Sequence, residues 1–218
     1  MIRRRILLIN PNTSVEMTDR MLAQAHKYVP PDVILVAITA SFGSPVVASR
    51  TSYAVAAHAA IEAYAHYDGS HPDAVVLCCF GDPGLEALRE IASQPVVGLA
   101  EASIRAAQAQ RAPFAIITIG KAWIAMLEER VTLANARAHC TGIYALDGTG
   151  LDIATDPSGV IASLDQMAAT AIQLGAEIIV LGGGALAGIA GQLTAPARYV
   201  DCIEAAMHEA TGRLPAVP

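Results

Sequence analysis

Short runs of aliphatic and β-branched residues alternate along this chain with longer, alanine-rich stretches whose apolar positions recur at helical spacing. The runs Arg4 to Ile9, Val33 to Thr39, Ala74 to Cys79, Val96 to Gly98, Phe114 to Thr118, Ala138 to Ala145 and Glu177 to Leu181 predict strands. Helices are predicted between and after them, near Ser14 to His26, Ser52 to Tyr67, Gly84 to Ile91, Glu101 to Gln110, Lys121 to Asn135, Ser158 to Leu174 and Ala197 to Glu209. Thr13 or Ser14 suits the cap of the first helix, Pro157-Ser158 the opening of the sixth, and Gly175 its end. Strand and helix in alternation predict an α/β fold with mainly parallel sheets flanked by helices.

The chain also repeats itself. Arg5-Ile-Leu-Leu-Ile-Asn-Pro-Asn-Thr13 and Pro113-Phe-Ala-Ile-Ile-Thr-Ile-Gly-Lys-Ala122 both read as strand, loop and helix start, and Ala74 to Cys79 is echoed by the run ending at Leu181-Gly-Gly183. Two pseudo-symmetric lobes follow. The expected boundaries are residues 1–100 for the first and 101–204 for the second, with 205–218 packing back on the first. Lobes facing each other would gather the loops after Ile9, Cys79, Ile117 and Leu181 around one crevice, where α/β proteins bind ligands.

Composition narrows the function classes. Apolar residues are 54% and charged residues 16% of the 218, which argues for a substantial core and against disorder. No aliphatic stretch reaches the roughly 20 residues of a membrane span. Met1-Ile-Arg-Arg-Arg5 runs straight into a strand without a signal-peptide core, so the expected location is cytoplasmic. A net charge of −6 without basic runs leaves no footprint for nucleic acid. Cys78, Cys79, Cys140 and Cys202 match neither a redox pair nor zinc spacing, the six histidines are scattered, and no G-x-S-x-G elbow occurs. No metal or cofactor site is therefore expected.

Cys79 carries the candidate chemistry. It ends a buried strand and opens the turn Gly81-Asp-Pro-Gly84 before a helix, and a cysteine beside the amides of such a turn suits proton transfer at carbon. Strand alternation alone leaves open which of Cys78 and Cys79 faces the crevice; the turn favours Cys79. The amides at Phe80 and Gly81, and those around Gly183, Gly184 and Ala185, suit an enolate or carboxylate. Asn10 and Thr13 offer an amide and a hydroxyl at the first strand end, Ser44 and Pro45 lie in the loop after the second strand, and Thr118 ends the fifth. At the position matching Cys79 the second lobe has Gly183. The run Gly182-Gly-Gly184 removes side chains where a ligand or the facing lobe approaches, and lacks the G-K-[ST] of a phosphate loop.

In Asn10-Pro-Asn-Thr13, Cys79-Phe-Gly-Asp-Pro-Gly84 and Val180-Leu-Gly-Gly-Gly-Ala185 the chain resembles the aspartate/glutamate/hydantoin racemase superfamily over essentially its whole length, hydantoin and allantoin racemases most of all. The resemblance implies a cofactor-free enzyme of two α/β lobes, with a cysteine from each lobe on opposite faces of the reacting carbon. It is compatible with a homo-oligomer. This chain departs from the pattern at Gly183, which has no proton to transfer. Single-cysteine arylmalonate decarboxylases show a mirror arrangement, and Trp123 falls where they are similar to this chain but place a tyrosine.

Three readings result. The first is an isomerase moving a proton next to a carbonyl or carboxylate of a hydantoin-, allantoin- or amino-acid-like molecule through Cys79. The second is a lyase releasing carbon dioxide from a malonate-like acid, with Cys79 protonating one face. The third is a non-catalytic protein binding a small acid. In each, the partner is a small carboxylate or cyclic ureide.

Overall fold

The computed structural model describes residues 4–148 and 157–215. Strands β1 (Arg4–Asn10), β2 (Val33–Thr39), β3 (Ala74–Leu77) and β4 (Val96–Gly98) form a parallel sheet in the order β2-β1-β3-β4. Strands β5 (Phe114–Ile119), β6 (Cys140–Leu146), β7 (Ile178–Leu181) and β8 (Arg198–Asp201) form a second parallel sheet in the order β6-β5-β7-β8. The two central pairs match: Ile9 lies beside Leu77 in one sheet and Ile117 beside Leu181 in the other. Cys79 and Gly183 thus each sit two residues beyond the end of equivalent strands.

The helices are α1 (Val15–Ala25), α2 (Arg50–Ala65), α3 (Leu85–Ile91), α4 (Leu99–Ala109), α5 (Trp123–Leu133), α6 (Pro157–Gln173) and α7 (Cys202–Gly212). Strand residues alternate between two apolar layers. Ile6, Leu8 and Val76 from the first sheet, with Phe114, Ile116, Ile178 and Val180 from the second, share one central core with Ile104 of α4 and Ile203 and Met207 of α7. Leu7, Ile9, Val75 and Leu77 pack outward on Ala60, Leu85 and Leu88, whereas Ala115, Ile117, Ile179 and Leu181 pack on Leu164, Ala168 and Ala171. Burial on both faces explains why these strands read as unbroken apolar runs.

Two expectations change. The helix predicted from Ala197 starts only at Cys202, because Arg198–Asp201 pairs with β7 and Asp201 caps α7, its carboxylate accepting from the Ile203 and Glu204 amides (2.8 and 3.2 Å). The third strand ends at Leu77 rather than Cys79. The Cys78 amide still donates to the Ile9 carbonyl (2.8 Å), but the Cys79 amide donates to the Leu77 carbonyl (3.1 Å), so the chain turns there. The helix α1 is capped by Ser14, whose hydroxyl accepts from the Met17 amide (3.1 Å). Helix α7 packs on α4, on α1 and on the first sheet. No helix among the described residues is long and apolar enough to cross a membrane.

Candidate active site

The carboxyl ends of β1, β3, β5 and β7 meet at a cavity of about 100 Å³. Asn12 reaches it from the loop after β1, Cys78, Cys79 and Phe80 from that after β3, Thr118 and Ile119 from the end of β5, and Gly182 to Leu186 from the segment after β7. Met17 and Met21 of α1, Val46 to Ala48 before α2, Trp123 of α5 and Gly148 complete the described wall. Among the described residues no Asp, Glu, His, Lys or Arg lines it. Among the described residues its ionisable side chains are the two thiols.

Cys78 continues the inward alternation of β3 and is buried in the central core; Cys79, past the strand end, keeps partial exposure. Burial pushes the Cys78 thiol up to about 12. Burial also pushes the Cys79 thiol well above its ordinary value, with a further push from the charge of Asp82. At neutral pH Cys79 is therefore a proton-bearing thiol whose thiolate is strongly basic.

The turn after Cys79 is held from behind. The Asp82 amide donates to the Cys79 carbonyl (3.0 Å), and Asp82 itself is fully buried with φ +56°. Its carboxylate accepts from the Ala100 and Glu101 amides at the start of α4 (2.9 Å each) and pairs with Arg130 of α5 (3.3 Å). Burial raises the Asp82 carboxyl to about 6, against the opposing pull of Arg130 and the two amides. Burial alone would lower Arg130, but Asp82 and Glu86 outweigh it and its pKa rises. The Tyr53 hydroxyl donates to the Gly81 carbonyl (2.8 Å), and its ring meets Trp123 edge to face at 6.2 Å.

The facing loop is bare. Gly183 has φ +132°, a conformation that side chains disfavour. A β-carbon built there would meet, among the described residues outside its chain neighbours, one atom within 4 Å, the Thr118 hydroxyl oxygen at 4.0 Å. Thr118 is 5% exposed and donates to the Gly182 carbonyl (2.7 Å). Across the loops, no described residue accepts from the amides of Phe80, Gly184 or Ala185. Three backbone donors on the wall are thus uncommitted.

Of the residues singled out from sequence, Cys79, Phe80, Thr118, Trp123, Gly183, Gly184 and Ala185 line the cavity. Asn10, Thr13, Ser44, Pro45 and Gly81 do not. Asn10 is 1% exposed, and its side chain is consumed by Asn12, Ser14 and Thr18 (2.8, 3.1 and 2.9 Å). The Thr13 amide donates to the Ser44 carbonyl (3.2 Å), the Ser44 hydroxyl to the Val46 carbonyl (2.7 Å), and Pro45 is exposed. Those contacts tie the first two loops together. Asn12, Met17, Met21 and Val47 were not singled out. Asn12 sits in the same motif as Asn10, and Met17 and Met21 share one face of α1 at i, i+4 spacing.

Two parallel sheets with a thiol-lined cavity between their strand ends define an α/β class of two similar halves. The model of the Asp/Glu/hydantoin racemase family matches residues 6–210. This chain belongs to that family. It is 35% identical over 206 residues to the hydantoin racemase of Paenarthrobacter aurescens, covering 93% of this chain and 87% of that one. In structure it is similar to allantoin racemase from Pseudomonas fluorescens, with TM-score 0.91 and 29% identity over 95% of this chain and 89% of the other. Allantoin racemase from Klebsiella pneumoniae superposes with TM-score 0.87 and 30% identity over 96% and 86%.

Proposed function

We propose that this protein is an isomerase that moves a proton at the carbon next to a carbonyl of a cyclic ureide of the hydantoin type, with Cys79 as the acid and base. The carrying observation is that Cys79 is the partly exposed thiol of a cavity whose described wall has no charged side chain. Such a wall disfavours a zwitterionic amino acid, whose ammonium and carboxylate would both lose water without an ionic partner. A neutral or weakly acidic ring meets no such penalty, and the kinship with hydantoin and allantoin racemases points the same way.

In this reading the Cys79 thiolate takes the carbon-bound proton and becomes a thiol, while the electron pair moves onto the carbonyl oxygen. The uncommitted amide of Phe80 stabilises the enolate so formed. Returning the proton to carbon regenerates the thiolate. The high thiol pKa makes Cys79 a strong base once ionised and keeps the ionised fraction small.

A second reading rests on Gly183. With one thiol, an enolate formed by loss of carbon dioxide from a malonate-like acid would be protonated by Cys79 on one face only. Proton NMR in deuterium oxide separates the two: hydantoins, allantoin, amino acids and malonates are each incubated with the protein. Loss of the ring C–H signal from a hydantoin is the expected result, and Cys79→Ser removes nearly all of it. Carbon dioxide release from a malonate without hydantoin exchange selects the lyase, and wild-type exchange by Cys79→Ser ends both.

A further inference from the structure

The family pattern brings a thiol to each side of the reacting carbon, and this chain has Gly183 on one side. Within 4 Å of where a β-carbon on Gly183 would stand, and outside its chain neighbours, the described atom is the Thr118 hydroxyl oxygen, at 4.0 Å. The hydroxyl proton is already given to the Gly182 carbonyl at 2.7 Å. Its oxygen can then only accept. A water seated there would donate one O–H to Thr118 and keep the second free, and the uncommitted amides of Gly184 and Ala185 could donate to its oxygen. Three polar partners are what an enclosed water ordinarily requires.

We propose that Thr118 is a positioning residue that holds a water on the Gly183 face, and that this water serves as the second proton donor. The inference rests on the isomerase reading above. The steps balance as follows. The Cys79 thiolate removes the proton on its own face, giving thiol and enolate. An O–H bond of the water breaks, its proton forms the new C–H bond on the opposite face, and the hydroxide left behind takes the Cys79 proton through solvent, restoring thiolate and water. Water is a much weaker acid than a thiol, so return from Cys79 to the original face is the faster branch. The enzyme is then lopsided: it exchanges protons with retention more often than it inverts.

The test uses one enantiomer of a 5-benzylhydantoin in deuterium oxide, with exchange followed by proton NMR and inversion by polarimetry. For the wild type, exchange should outpace loss of optical rotation. In Thr118→Val, whatever happens to exchange, inversion should fall about fivefold further, the worth of one neutral hydrogen bond. Thr118→Ser, which keeps the hydroxyl, should restore the wild-type ratio, and Thr118→Ala reads the same ratio if the valine variant does not fold. An inversion-to-exchange ratio unchanged in Thr118→Val or Thr118→Ala overturns the proposal while leaving the isomerase reading intact. Absence of exchange in the wild type with every hydantoin removes the isomerase reading and this proposal with it.

Discussion

The ring of Phe80, one residue past Cys79, lies directly on Gly182 of the opposite half. A methyl group at residue 182 would stand 2.4 Å from its Cε1. The reciprocal contact is made by Trp123, whose Cζ3 would be 2.5 Å from a methyl group on Gly81. Each half therefore rests an aromatic ring on a glycine of the other. These crossed contacts fix the spacing of the two loops that carry Cys79 and Gly183.

Gly182→Ala should expose that dependence. The added methyl must displace a buried ring, an overpacking that costs about 1–3 kcal/mol. Urea denaturation reads the stability loss, and hydantoin exchange should fall with it because Phe80 carries Cys79. A variant with wild-type stability and full exchange would show that the loops tolerate separate movement.

The elevated Cys79 thiol predicts an unusual pH profile. Proton abstraction needs the thiolate, whose fraction grows about tenfold per pH unit below the thiol pKa. Exchange should therefore climb steadily between pH 6 and 9 without levelling. A plateau near pH 7 would mean that Cys79 ionises at ordinary pH and that its thiol is not raised.

Asp82 gives a stability signature of its own. Its carboxyl is raised from 3.8 to about 6, so the folded chain holds this proton more tightly than the unfolded one. The stability tied to that proton is fully present below about pH 4 and is lost as pH rises through 6. Asp82→Asn lacks the titration. The advantage of the wild type over Asp82→Asn in urea denaturation should be larger at pH 4 than at pH 6 and smaller still at pH 7.5; a constant difference would rule out a buried, raised carboxyl.

The apolar wall makes a prediction about substituents. Met17, Met21, Val46, Val47 and Leu186 line the cavity with hydrocarbon and sulfur. Each buried methylene is worth about 0.8 kcal/mol. Hydantoins with benzyl or isobutyl side chains should react with kcat/KM at least about tenfold above allantoin, whose ureido group would be stranded there. Steady-state polarimetry on the three compounds decides it, and a preference for allantoin would contradict the proposed wall.

Periodicity was enough to read the layered plan because the central strands β3, β5 and β7 are buried on both faces and helices such as α2 and α4 between the strands are rich in alanine. The eighth strand escaped because Arg198-Tyr-Val200 is short and runs without a loop into α7, so the helical pattern absorbs it. That Cys79 lines the cavity was legible from its place between an apolar run and a glycine turn. The roles of Asn10 and Asn12 were not, since only folding shows that Asn10 spends its amide on Thr18 and Ser14. Nor could spacing reveal the pairing of Asp82 with Arg130, which depends on α5 of one half docking behind a turn of the other.

Helix α7 lies at the far end of the chain, yet Ile203, Ala206, Met207 and Ala210 are wholly buried against α4, α1 and the first sheet. The polypeptide is thereby sewn shut from its tail. A split version, cut between β4 and β5, would give an opening fragment with a bare oily flank and a closing fragment with an orphaned helix. Neither should survive alone, and the two made together in one cell should reassemble by complementation.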